Sequence, residues 1–177
     1  MKRKMIRLMC LVCVFSVAIF LPACNSNPNM VTDQDITELY NDNKELFDRT
    51  AKEVEKLEKK LKEIEGLSFR YEEHRVVAYS INTPISFDFP DDLHSDLLDC
   101  FIAMDSIVNE VYDDNEYVLA ISYTAVGLDA DERNVTEFMF ANDVVRRVSA
   151  LTYSEAEPAE PNITINENWY ITWWGGV

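Results

Sequence analysis

The chain has 177 residues, 16 of them Lys or Arg and 32 Asp or Glu, for a formal net charge of −16. That length suffices for one ordinary domain with its own core, and so acidic a surface repels phosphate backbones, which excludes nucleic-acid binding. Only four glycines and two histidines are present. None of the glycines stands in the spacing of a phosphate-cradling loop or a dinucleotide fingerprint, so no cofactor is expected.

The N-terminus opens with a basic head, Lys2, Arg3, Lys4 and Arg7, followed by an apolar run from Leu8 to Phe20. A membrane-spanning helix needs about 20 such residues, so this shorter run fits the core of a signal peptide. Leu21-Pro22-Ala23-Cys24 then resembles the lipobox of bacterial lipoproteins, with Pro22 departing from the small residue usual at that position. The resemblance covers residues 1–24. It implies cleavage before Cys24, lipidation of its thiol, and export to the outside of the bacterial cell membrane or to the outer membrane. Two or three acyl chains at one cysteine are enough for stable anchoring.

On that reading residues 1–23 are a signal peptide, 24–34 a lipidated N-terminus and polar tether, and 35–177 a single α+β domain. The signal takes four basic and no acidic residues with it, leaving 12 basic against 32 acidic and a net charge near −20. Cys10 and Cys13 leave as well, Cys24 is lipidated, and Cys100 remains alone, so the core must hold without disulfides.

From Asp35 to Glu65 the sequence reads as one long helix. Asp35 with Glu38 suits an N-cap, and Gly66 suits the C-terminal stop. Ile36, Tyr40, Asn43, Phe47, Thr50, Val54, Leu57, Leu61 and Ile64 recur by fours and threes, while "NDNK" at 41–44 is a place where the first turns can break off. So narrow a seam fits either packing within the domain or a coiled-coil partner.

"LSFRYEEHRVVAYSI" (67–81) is strand text with a hairpin turn at Glu72-Glu73, and "NTPISFDFPDD" is a loop because Pro84 and Pro90 interrupt any ladder. A second helix spans 92–112, with Leu93, Leu97, Cys100, Phe101, Met104, Ile107, Val108 and Val111 in a wide apolar stripe. Residues 116–126 and 135–141 read as strands. Residues 143–153 fit either period and are taken as strand, and "ITINENWYITWW" closes as strand. Two helices on an antiparallel sheet of four to six strands result, an α+β domain whose element order resembles cystatin-like and NTF2-like folds.

Sites of chemistry are sparse. Asp92, His94 and Ser95 share one helical turn and cannot converge as a hydrolase relay does. His74 and His94 read as surface or capping residues, and Cys100 on its apolar stripe as an inert thiol. Asp129, Asp131 and Glu132 lie in a loop that lacks the glycine and the distant glutamate of an EF-hand, so no metal site is expected.

The unusual cluster is Trp169, Tyr170, Trp173 and Trp174. Alternation puts Trp169, Ile171 and Trp173 on one face, expected to seal the core. Tyr170 and Trp174 fall on the other, where they are the candidates for an exposed ligand-binding platform suited to sugar rings or a partner protein. The first functional reading is a non-enzymatic binding or interaction module held at the membrane by its lipid. The alternatives are an envelope hydrolase using two carboxylates and an assembly factor pairing through the long helix.

Overall fold

The computed structural model describes residues 31–57, 64, 67–111, 117–126, 133–142, 147–155 and 163–175. Cys24, the rest of the N-terminal segment and the acidic loop at 127–132 lie outside the described residues, as does most of the stretch from Glu58 to Gly66. Residues from Val31 onward form one compact unit. Its class is α+β, as expected, but with three helices and eight strands among the described residues rather than two and four to six.

Helix α1 (Asp33–Asp42) begins two residues earlier than its sequence suggests. Thr32, not Asp35, is the N-cap: its hydroxyl accepts from the Asp35 backbone N–H at 3.2 Å, and the Asp35 carboxylate accepts from the Thr32 N–H at 2.8 Å. This reciprocal capping box satisfies two orphan donors and typically contributes about 1 kcal/mol. Val31, placed in the tether by sequence, is buried and belongs to the core. The helix breaks at Asn43, whose side chain donates to the Leu39 carbonyl, and resumes as α2 (Lys44–Lys56). The seam residues Ile36, Tyr40, Phe47, Thr50 and Val54 are all at most 1% exposed, so the seam is used by the domain's own core rather than by a second helix.

Strands β1 (Leu67–Glu72) and β2 (Arg75–Ser80) form a hairpin one residue out of the expected register, with Glu73-His74 as its turn. Strand β3 (Thr83–Ile85) contains Pro84 inside what its sequence marks as a loop. It is tolerated because β3 is an edge strand, where a missing N–H need not face a neighbour. Helix α3 (Asp91–Val111) follows, then β4 (Tyr117–Val126), β5 (Arg133–Asn142), β6 (Arg147–Tyr153), β7 (Ile163–Thr164) and β8 (Trp169–Gly175). All pairings are antiparallel, in the order β3-β2-β1-β4-β5-β6-β8-β7.

One transverse rung shows how the core is built. Phe69, Ile121, Phe138, Leu151 and Ile171 stand opposite one another across five strands, each at most 1% exposed. Helix α1 lies against β6 and β8, α2 against β5, and α3 against β2 and β4, so all three helices cover this face. Arg49 of α2 ties the helices together through a bidentate pair with Asp96 of α3, Nε to Oδ2 and Nη2 to Oδ1, both 2.7 Å.

Candidate functional site

The Glu73-His74 turn holds both residues at positive φ, 49° and 64°. A two-residue hairpin turn of the primed type requires this, and Asn-Gly is the usual answer to it. Here neither residue is Gly or Asn, so the turn is held in a left-handed conformation that ordinary side chains resist. It projects Glu73 and His74 over a cleft of about 480 Å³ lined by Tyr71, Glu73, His74, Asp105, Val108, Tyr117 and Leu119.

Each wall has a local cause. Tyr71 points to the helical face of β1 and stacks on Phe101, with ring centroids 5.5 Å apart and planes within 12°. Its hydroxyl meets His74 Nδ1 at 3.3 Å, and the two rings stand edge to face. Asp105 and Val108 lie three apart on α3, hence on one helical face, and Val108 and Leu119 form an apolar floor that is almost fully buried. On β4 the Tyr117 hydroxyl accepts the Val31 backbone N–H at 3.2 Å. At the rim, Glu73 pairs with Arg75 at 3.3 Å, with 84% and 68% of the side chains exposed, a contact of little energetic weight.

Burial, and then the negative charge of Asp105, push the Tyr71 phenol above its ordinary value, so it remains a neutral hydrogen-bond donor at physiological pH. The described lining thus offers carboxylate, phenol and imidazole groups over an apolar floor, and no Ser, Thr or Cys nucleophile. Two tyrosine side chains beside carboxylates suit an organic cation, held by charge between aromatic walls. Among the described residues no group of three or more His, Cys, Asp and Glu is placed to hold a metal ion.

The residues singled out by sequence are distributed differently. Trp169 and Ile171 are in the core, but Trp173, on the same face, is 47% exposed, with the Arg147 guanidinium over its ring at 5.1 Å. Tyr170 is only 4% exposed and donates its hydroxyl to the Glu167 carbonyl at 2.8 Å, whereas Trp174 is 41% exposed. A platform of Tyr170 with Trp174 therefore has one open member. His94 is exposed in the first turn of α3, its ring edge-on to Phe89. Burial pushes the Cys100 thiol up to about 12 beside the Thr50 hydroxyl at 3.3 Å, the state of an unreactive core cysteine.

Sequence reasoning did not bring Tyr71, Glu73, Asp105 and Tyr117 together. Asp105 sits at the margin of the apolar stripe of α3, where an acid reads as solvated surface. The one signal available was "EEHR" between two alternating runs, a turn without glycine. No protein family, curated protein or solved structure matches the chain.

Proposed function

We propose that the protein is an exported lipoprotein, anchored through Cys24, whose folded domain captures a small organic cation bearing an amine or guanidinium group. The observation that carries this reading is the cleft itself, in which tyrosine side chains and carboxylates surround an apolar floor on a strongly acidic domain. The lipobox-like segment supports the address. Glu73 and Asp105 line the same cleft, but the high exposure of Glu73 at the rim favours binding over the protected acid that paired-carboxylate hydrolysis needs.

Calorimetric titration with spermidine, choline and an arginine dipeptide tests the ligand class. At least one should bind, and Asp105→Asn and Tyr71→Leu should each weaken it by roughly tenfold, the equivalent of about 1.4 kcal/mol. No binding by any of the three would reject the cation-binding reading. Mass spectrometry of the mature protein tests the anchor independently, since an unmodified Cys24 would reject it.

A further inference from the structure

Tyr117, Asn142, Arg147 and Gly175 stand opposite one another and mark one end of the sheet on β4, β5, β6 and β8. Beside that row both exposed tryptophans emerge. Trp174 closes an outer-face row with Val118, Ala141 and Val148, of which Val118 is itself 40% exposed. Trp173 projects from the opposite face under the Arg147 guanidinium.

Two indoles on opposite faces of one strand end cannot stack together on a single sugar ring. They can both enter a layer that surrounds the strand end. The layer with the right chemistry is the interfacial zone of a bilayer, where indole rings lie with their apolar body inward and their N–H wet, and where a guanidinium meets phosphates.

The second observation is where the chain enters the domain. Val31 donates its backbone N–H to Tyr117 in that same terminal row. Seven peptide units separate Val31 from Cys24, a reach of at most roughly 25 Å. A lipid at Cys24 therefore holds this end of the sheet within that reach of the membrane. The acidic residues Glu72 and Glu73 at the β1–β2 turn lie three strand spacings from β6, roughly 14 Å away, so repulsion from an anionic bilayer favours the β6–β8 corner as the part that meets lipid.

We propose that Trp173, Trp174 and Arg147 form a lipid-contacting corner that beds into the headgroup layer of the membrane carrying the anchor. This rests on the lipid-anchored reading of Cys24. The test reconstitutes the mature, full protein in phosphatidylcholine vesicles with and without brominated acyl chains, and reads tryptophan quenching beside the mass of the Cys24 peptide. Brominated lipid should quench the wild type, and that quenching should be lost in the Trp173→Ala/Trp174→Ala double variant, because the remaining Trp169 is only 2% exposed in the core. An acylated Cys24 without quenching overturns the corner and leaves the anchor standing. An unmodified Cys24 overturns both. Quenching that persists in the double variant, or exposed tryptophans that respond to soluble glycan or to self-association instead of lipid, would also overturn the corner.

Discussion

Replacing Trp169 probes the joint between helices and sheet. Its ring centroid lies 4.9 Å from Tyr40, 5.2 Å from Tyr153, 5.8 Å from Phe138 and 6.4 Å from Phe47, and its indole N–H donates to Asp48 Oδ1 at 2.7 Å. Trp169→Ala empties that site, a change that typically costs about 3–5 kcal/mol. It also deletes a hydrogen bond to a charged group, commonly about 1.5–3 kcal/mol. Against a total stability of about 5–15 kcal/mol, the variant should melt at least roughly 10 °C lower or fail to fold.

Trp169→Phe separates the two contributions, since it retains a ring and removes the donor. Burial alone would raise the Asp48 carboxyl, but hydrogen bonds from Lys44 and Trp169 outweigh it and hold the group below the usual carboxylate range. The depressed value means that Asp48 contributes stability above its unfolded pKa of about 3.9, and that this is lost as pH falls through the folded value. The gap between wild type and Trp169→Phe should therefore be widest near neutrality and narrow below about pH 4. Urea denaturation followed by far-UV circular dichroism at pH 7 and pH 3.5 measures it. A loss under about 1 kcal/mol for Trp169→Ala would refute the packing, and a pH-independent gap for Trp169→Phe would refute the role given to Asp48.

Trp173→Ala, on the same strand face but half open, should cost about 1 kcal/mol or less in the same denaturation experiment. Glu137, on the outer face under the Ser122 hydroxyl, is raised by burial, so its ionised form opposes folding as pH rises through the folded value. Glu137→Gln should therefore raise the melting temperature at pH 7, with the gain vanishing at pH 3.5. Cys100 should resist a thiol reagent in the native protein and react only as fast as the domain unfolds, which stopped-flow mixing with and without urea will show.

Period and class were legible because they are local. The stripe through Ile36, Tyr40, Phe47 and Val54, and the alternation in β4, announce their elements directly. Boundaries were less so: Asp35 reads as the cap in sequence, and only the reciprocal bonds of the structure select Thr32. Alternation placed Trp173 with Trp169 and Ile171, but periodicity names a face and not how far a helix reaches along it. Trp173 stands beyond that cover. The cleft was hidden for a related reason, since Asp105 meets Tyr71 only through the register of β1 on β4 and the packing of α3 upon them. Between 143 and 153 the helical and strand periods competed; over 147–153, the part within the described residues, pairing with β5 and β8 decided for strand.

The hairpin turns carry a consequence for how the sequence tolerates change. Ile81, in the β2–β3 turn, has φ 58° and is 60% exposed. A β-branched residue in the left-handed region stores about 1 kcal/mol or more of strain, and at this exposure its side chain returns little packing. Ile81→Gly should therefore behave as a global suppressor in a genetic screen. It should restore the folded fraction of unrelated core lesions such as Leu97→Val while sharing no contact with them, which makes this solvent-exposed turn a reserve on which other substitutions can accumulate.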